Sequence, residues 1–260
     1  MITSKFEKKE AGNVEIVYTI PADLIAQTKT IVVSEMAKDI TLPGFRKGMA
    51  PLNKVESSIS VDKLNEHILS HLLPTAFSES VKEHKFTPAI YPKFEALKIG
   101  QGSDWDIKAV TCELPKVILA DYKQNLKSTT TDELIKELPK VVKLEIPKLL
   151  VDEEVNERLS QLLARIEKLG LQLEGYLRSV GKTVETLRDE YQKQSQDAIA
   201  LELILNEVAN SEKIDVSEKE VEEFVKTTGS DISKVDDEQK KMLQRVVMRR
   251  KALEKLTKKV

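Results

Sequence analysis

The first twenty residues alternate between apolar and polar positions. Apolar side chains recur at every second residue on both sides of the turn Ala11-Gly12-Asn13, and this period of two is typical of β-strands. Pro21 then suits the first turn of a helix, and apolar residues continue at near-helical spacing to about Ile40. The pattern predicts a β-hairpin followed by one helix.

Helical spacing returns over residues 60–85, where Pro74 predicts a kink or a break. Two alternating segments follow at residues 94–99 and 105–114, and a glycine-containing turn joins them. Residues 1–115 therefore predict the order β-β-α-α-β-β, which is an α+β domain.

Beyond Pro115 strand signals stop and long helical patterns begin. Residues 116–145 have an extended, polar character and are interpreted as a linker. From Val151 apolar residues step by three and four to Leu169, and a second long helix keeps the same phase, which predicts a helical seam. Residues 146–260 are therefore interpreted as an all-α domain of several helices.

Two more helices are predicted near the end of the sequence. Ser217 and Glu220 have the spacing of a capping box, which starts a short helix that Gly229 ends. The last helix starts at about Asp236, and residues 240–260 carry nine basic residues against one acidic residue. Such a basic face is usually solvated, and contact with RNA is the alternative.

Composition limits the class of protein. The 41 basic and 43 acidic residues nearly balance, which argues against a protein that coats nucleic acid through its net charge. The single cysteine, Cys112, excludes an internal disulfide framework and favours a reducing compartment. The N-terminal twenty residues lack an apolar signal core, and no run of about 18 apolar residues occurs. We therefore expect a cytoplasmic chain with no membrane partner.

Residues suited to catalysis are sparse. His67 and His71 have a spacing that can chelate a metal, but no third ligand is signalled, so solvated histidines are the favoured interpretation. Cys112 lies in an alternating strand, where packing is favoured over nucleophilic chemistry. No glycine-rich phosphate-binding motif occurs. We predict no catalytic residue, no metal site and no cofactor.

Residues 41–51 hold two glycines and two prolines, so neither helix nor strand continues through them. Phe45 stands beside two cations between Gly44 and Gly48. Such a loop can present the ring to an apolar recess and the cations to carboxylates or phosphates. The alternative is structural, with the glycines marking turns and Phe45 tucked into the core.

The loop sequence GFRKGMAP resembles the G-F-R-x-G-x-x-P signature of the bacterial trigger factor family, whose members are ribosome-associated chaperones. The similarity extends to residues 67–88, 112–122 and 146–191, and more loosely to Val225. The resemblance implies a ribosome-binding domain at residues 1–115 and a helical chaperone domain with arms after the linker.

By this resemblance the loop docks on a large-subunit ribosomal protein at the tunnel exit, with nearby ribosomal RNA as a secondary partner. The aromatic and the two cations would form the tip, while the glycines and the proline would shape the loop. The resemblance assigns six residues to this ribosome-binding site: Gly44, Phe45, Arg46, Lys47, Gly48 and Pro51.

The resemblance also implies an apolar surface on the helical domain that holds nascent and unfolded polypeptides without ATP. Two helical stretches are apolar on more than one face, although a fully buried core is the alternative. The expected client-binding residues are Leu201, Ile204, Leu205, Val247 and Met248. Because family members can dimerise, a weak homodimer is also expected.

The sequence departs from the family at the position of its inserted peptidyl-prolyl isomerase domain. Only 23 residues separate Tyr122 from Ile146, too few to bury an independent core. We therefore expect a chaperone without isomerase activity. Two alternatives stay open: an isomerase that works through another surface, and an RNA-binding translation factor that uses the loop and the basic last helix.

Overall fold

The chain divides into two compact units, residues 1–114 and 115–260. The structure is a computed structural model that describes residues 1–127, 130–227 and 236–257. Gly229, which the sequence predicts to end a helix, lies outside the described residues.

The first unit is a four-stranded antiparallel sheet covered by helices. Its strand order is β1-β2-β4-β3, so the N-terminal hairpin pairs with the last strand of the unit. Phe6 of β1 lies opposite Ile16 of β2, and Ile16 lies opposite Ala109 of β4. The elements are β1 (Thr3–Lys8), β2 (Asn13–Ile20), α1 (Ala22–Ala37), α2 (Leu52–Ser58), α3 (Val61–His84), β3 (Lys93–Lys98) and β4 (Trp105–Cys112).

The alternation of β2 places one row of side chains in the core between the sheet and the helices. The buried members of this row are Val14, Ile16, Tyr18 and Ile20. The Tyr18 hydroxyl donates a hydrogen bond to Ser80 Oγ of α3 at 3.1 Å, which satisfies both buried hydroxyl groups. Helix α3 runs through Pro74 without a split, contrary to one predicted outcome.

The mixed fold, with a small antiparallel sheet and mostly helices, is confirmed. The observed order β-β-α-α-α-β-β contains one helix more than predicted, because α2 follows the loop directly. Helix α2 begins after Pro51 and has a single buried residue, Val55. One apolar contact in seven residues is too little for a periodic pattern to show.

The second unit is entirely helical in the part that the structure describes. Helix α8 packs against α5, α6 and α10, and α9 packs against α10. The helices are α4 (Tyr122–Asn125), α5 (Thr131–Val141), α6 (Lys148–Lys168), α7 (Leu173–Val180), α8 (Val184–Ser211), α9 (Glu218–Thr227) and α10 (Asp237–Thr257). No helix among the described residues is both long and apolar enough to cross a membrane.

Residues 116–145, interpreted from sequence as an extended linker, carry α4 and α5. Leu134 and Leu138 of α5 are fully buried, in the same cluster as Ile204 and Val208 of α8. These residues therefore contribute to the core of the second unit. Helix α5 was not predicted because its two buried leucines stand among mostly polar neighbours.

Helix α7 was also not predicted, although a glycine lies near each of its ends. Gly170 follows α6 with φ +68°, as expected of a residue that stops a helix, and Gly181 caps α7 with φ +65°. Only Leu177 of α7 is buried. With one buried residue in eight, α7 has too short a pattern to be recognised in the sequence.

Candidate docking loop and apolar surfaces

The loop over residues 41–51 connects α1 to α2 and is folded by local hydrogen bonds. The Phe45 amide donates to the Leu42 carbonyl at 3.0 Å, and the Met49 amide donates to the Arg46 carbonyl at 2.9 Å. Each bond closes a four-residue turn. The loop therefore has a defined backbone conformation, with Phe45 and Arg46 where the two turns meet.

The two glycines of the loop have backbone conformations that favour glycine. Gly44 has φ +84° and Gly48 has φ +78°. A Cβ at Gly48 would lie 3.3 Å from the Lys38 carbonyl oxygen, whereas one at Gly44 would meet no atom within 4 Å. The Gly48 amide also donates to the Ile40 carbonyl at 3.4 Å. Gly48 therefore holds the loop close to the end of α1.

The tip of the loop presents one aromatic ring and two cations. Phe45 is 39% exposed and lies outside the hydrophobic core clusters, so it is not tucked into the core. The Lys47 Nζ lies 2.9 Å from the Asp39 carboxylate, while Arg46 forms no ion pair within the described residues. Among the described residues, Arg46 is therefore the tip cation whose charge no ion pair compensates.

The second end of the loop is anchored by α2. Pro51 precedes the first residue of α2 with φ −57°, and Ala50 beside it is buried. Pro51 accepts backbone hydrogen bonds from Lys54 at 2.9 Å and Val55 at 3.1 Å. The structure thus brings all six residues that the sequence assigned to ribosome binding into one exposed loop with both ends fixed.

The client-binding residues expected from the sequence do not form an exposed surface. Ile204 is fully buried, Leu205 and Val247 are buried, and Leu201 and Met248 pack partly buried against the same clusters. Helix α5 packs against α8 and α10 and covers Ile204 and Leu205. Val247 is buried in a second cluster, where α9 packs against α10. The expectation of exposure is therefore corrected.

Other apolar side chains are exposed in the second unit, around the ends of α6, α7 and α8. We call five of them the junction residues, and each is at least 40% exposed: Leu163, Leu169, Leu171, Val180 and Val184. Three of them flank the helix-ending glycines Gly170 and Gly181. Apolar residues placed next to glycines in the sequence could have indicated these sites.

The basic last helix is largely paired with carboxylates of its own unit. Lys251 Nζ lies 2.7 Å from Glu220 and Lys255 Nζ lies 2.8 Å from Glu212. Further pairs join Arg249 to Glu202 and Arg250 to Glu254. Because these charges are compensated internally, the helix offers few free cations to RNA.

Glu220 is held by two partners at the start of α9. Lys251 donates to one carboxylate oxygen at 2.7 Å, and the Ser217 amide donates to the other at 2.9 Å. Ser217 Oγ accepts from the Glu220 amide at 3.4 Å, which confirms the predicted capping box. The hydrogen bond from Lys251, followed by those from Ser217, lowers the pKa of Glu220 to about 2.

The remaining titratable candidates show no arrangement for catalysis. Burial raises the pKa of the Cys112 thiol to about 11, so the thiol stays protonated at neutral pH. His71 Nε2 lies 2.9 Å from the Glu35 carboxylate of α1. Across residues 1–127, 130–227 and 236–257, no group of three or more His, Cys, Asp or Glu side chains could hold a metal ion.

Two family models match the chain. The model described as bacterial trigger factor protein matches residues 2–162, and the model of the bacterial trigger factor C-terminus matches residues 106–258. The two matched ranges overlap, so within this chain the N-terminal and C-terminal family regions join directly.

Curated relatives are similar to parts of the chain. Trigger factor from Streptococcus mutans is 30% identical over 160 residues, which is 62% of this chain and 34% of the relative. Trigger factor from Staphylococcus epidermidis is 27% identical over 184 residues, which is 70% of this chain and 38% of the relative. The chain thus spans between a third and two fifths of the length of these relatives.

A solved structure from work on "Promiscuous Substrate Recognition in Folding and Assembly Activities of the Trigger Factor Chaperone" has a similar fold. Its TM-score is 0.70 at 13% identity, and the alignment covers 98% of this chain and 99% of that chain. At this identity the likeness concerns the fold alone. The two family models each match more than half of the residues, and on that ground the chain belongs to the bacterial trigger factor family.

Proposed function

We propose that this chain is an ATP-independent molecular chaperone that docks on the ribosome and holds polypeptides as they emerge, in the cytoplasm. The observation that carries the proposal is the loop over residues 44–51, which has the family signature and displays Phe45 and Arg46 from a fixed backbone.

The geometry of the tip suits a reversible contact with a protein. A half-exposed aromatic ring gains by entering an apolar recess, and the planar guanidinium of Arg46 can form two parallel hydrogen bonds to one carboxylate. Lys47 is already paired with Asp39, so the free positive charge at the tip is small. A contact of this kind weakens with salt but does not depend on charge alone.

Co-sedimentation with 70S ribosomes at two salt concentrations tests the docking step. We expect the wild type to sediment with ribosomes and the triple variant Phe45→Ala/Arg46→Ala/Lys47→Ala to remain in the supernatant. Tyr91→Ala is the matched control, because Tyr91 is 68% exposed in the same unit and lies outside the loop. Equal sedimentation of the triple variant would assign the contact to another surface.

The proposal includes two further contacts, one with ribosomal RNA and one with a second copy of the chain. Ribosomal RNA near the docking site would be a secondary contact, and a weak homodimer would form off the ribosome. Binding to naked ribosomal RNA should be weaker than binding to whole ribosomes. Sedimentation velocity over a range of protein concentrations tests the dimer.

The second unit would hold clients through its junction residues. These aliphatic side chains stand at several helix ends, where many weak contacts to different sequences are possible. Holding would need no nucleotide, because a client that buries its own apolar segments loses its affinity for the chaperone.

Suppression of aggregation of a denatured model protein tests the holding step. We expect the variant Leu169→Ser/Leu171→Ser/Val180→Ser to suppress aggregation less well than the wild type. Ile118→Ser provides the control, because Ile118 is 71% exposed in the same unit but distant in sequence from α6 and α7. The Phe45→Ala/Arg46→Ala/Lys47→Ala variant should hold clients normally, which separates holding from docking.

We also infer that the chain does not catalyse prolyl isomerisation. Most of the described residues between Tyr122 and Ile146 lie in α4 and α5, and α5 is packed into the core of the second unit. A proline-limited refolding assay checks this inference, because the uncatalysed step takes tens of seconds. Acceleration of that phase by the purified chain would contradict it.

A further inference from the structure

Large apolar side chains are exposed beside the signature loop as well as at its tip. Met49 is 73% exposed and Leu52 is 45% exposed, compared with 39% for Phe45. Ala50 is buried, whereas Met49 before it and Leu52 two residues later are exposed, so this segment buries a small residue and leaves the large apolar ones at the surface. Three exposed large apolar residues within eight positions form a denser group than isolated surface residues usually do.

Leu52 also borders a cleft between α1 and α2. The cleft has a volume of about 290 Å³, at the lower end of the range for ligand cavities, and suits an inserted side chain rather than a large ligand. Its lining mixes apolar and polar residues, and Val33, which is buried, and Leu52 contribute apolar area from α1 and α2. The residues that line it are Ala26, Lys29, Thr30, Val33, Leu52 and Glu56.

Ion pairs compensate only some of the charges near the exposed side chains of Phe45, Met49 and Leu52. Lys29 Nζ lies 2.5 Å from the Glu56 carboxylate at the edge of the cleft, so that pair is compensated. Arg46 and Lys54 form no ion pair within the described residues and remain available to a partner. An apolar centre with a few charges around it is typical of protein interfaces, whereas phosphate-rich partners need many free cations.

We propose that Met49, Leu52 and the cleft between α1 and α2 form a single docking surface with Phe45, and that this surface takes an apolar side chain flanked by carboxylates on a ribosomal protein. The inference rests on the proposed ribosome docking and adds an apolar contact that the signature residues do not include. Arg46 and Lys54 pair with the flanking carboxylates.

Quantitative ribosome binding of the Met49→Ser/Leu52→Ser variant tests this surface. We expect a Kd about tenfold higher than that of the wild type, with an unchanged dependence on salt, because no charge is altered. Leu97→Ser is the matched control, since Leu97 is 56% exposed on β3 of the same unit. The variant Met49→Leu/Leu52→Met should bind like the wild type, because the apolar surface is kept.

The outcomes separate this inference from the proposed function. If the wild type binds and the tip triple variant does not, but Met49→Ser/Leu52→Ser binds normally, the inference is overturned and the proposed function stands. If the wild type itself does not bind, both are overturned. A circular dichroism melt of each variant shows whether the fold is kept, and loss of binding with an intact fold supports the inference.

Cross-linking identifies the class of partner directly. In the Leu52→Cys variant a maleimide benzophenone should label the introduced thiol selectively, because Cys112 is fully buried and protonated. After irradiation on 70S ribosomes we expect the label on a ribosomal protein. Cross-links to ribosomal RNA alone would overturn the proposal of a protein partner.

Discussion

The two units display apolar side chains in different physical settings. In the first unit Phe45 stands on a loop with two closed turns and two glycines of positive φ. Arg46 beside it pairs with no carboxylate in the described part of the chain. In the second unit the junction residues are aliphatic and stand in the last two turns of α6, around α7 and at the start of α8. A fixed aromatic beside a cation suits one partner of defined shape, whereas dispersed aliphatic side chains suit many partners.

The two units also differ in how far their cations are paired with carboxylates. The described cations of α10 are mostly paired inside the second unit, as Lys251 is with Glu220 and Lys255 with Glu212. In the loop of the first unit, none of the described carboxylates pairs with Arg46. Docking should therefore respond to salt, while the holding of clients should respond mainly to the loss of apolar area.

The largest effect is expected from the double variant Leu134→Ala/Leu138→Ala. Truncating two fully buried leucines should destabilise the second unit by about 2–5 kcal/mol each. Urea unfolding followed by far-ultraviolet circular dichroism reports on both units, whereas fluorescence of Trp105, the only tryptophan, reports on the first. The Trp105 transition should not move.

Leu163→Ala serves as the control for this variant, because Leu163 is 40% exposed in α6. It should shift neither transition appreciably. If the Trp105 transition moved together with the dichroism signal, the two units would unfold as one. The two units could then not be compared as separately stable parts.

A smaller effect is expected at Gly48. The variant Gly48→Ala places a Cβ at a left-handed φ and 3.3 Å from the Lys38 carbonyl oxygen, so it should destabilise the loop by about 1–2 kcal/mol and weaken ribosome binding. Gly44→Ala has the same strain in φ but meets no neighbour. Its thermal shift should be smaller, and equal shifts in the two variants would show that the close contact is unimportant.

The variant Asp39→Asn should change binding without changing the fold. It releases Lys47 from an exposed ion pair that contributes at most about 1 kcal/mol, so stability should hardly change. Ribosome affinity at low salt should rise by up to about fivefold, because a second tip cation becomes free. Weaker binding would mean that Asp39 itself contacts the partner, and Asp23→Asn on α1 controls for the change in net charge.

The smallest expected effect is the loss, at low pH, of the stabilisation that Glu220 provides. Its pKa in the folded chain, about 2, lies below the ordinary value of 4.5, so its stabilising contribution is present above pH 4.5 and is lost as the pH falls toward 2. The difference in unfolding free energy between wild type and Glu220→Gln should therefore shrink over that window. A constant difference, measured by urea unfolding at several pH values, would contradict the assigned ion pair.

Local sequence carried enough information for the turns of the signature loop but not for which apolar residues of the second unit are exposed. The conformation of Gly44 and Gly48 depends on neighbours within ten residues, so the motif could be recognised directly. The burial of Ile204 and Leu205 depends on α5, about 70 residues earlier in the chain. Hydrophobic periodicity cannot tell which of two apolar faces a distant helix will cover.

Short helices account for most of the remaining differences in fold. Helices α2 and α7 each bury one residue and α5 buries two, while their lengths are seven, eight and eleven residues. Such helices depend on tertiary contacts rather than on their own pattern. The strands were recognised because their alternation extends along six to eight residues, as in β2.

The position of α5 leaves the second unit with a point in the chain where a further domain could be inserted. Leu134 and Leu138 join its core before the chain reaches residues 143–147, a stretch without regular secondary structure that leads into α6. Sequence inserted there would leave the core contacts on both sides in place. A gene for such a chain could therefore gain or lose an entire catalytic module at this point in one step, with little change to the chaperone scaffold.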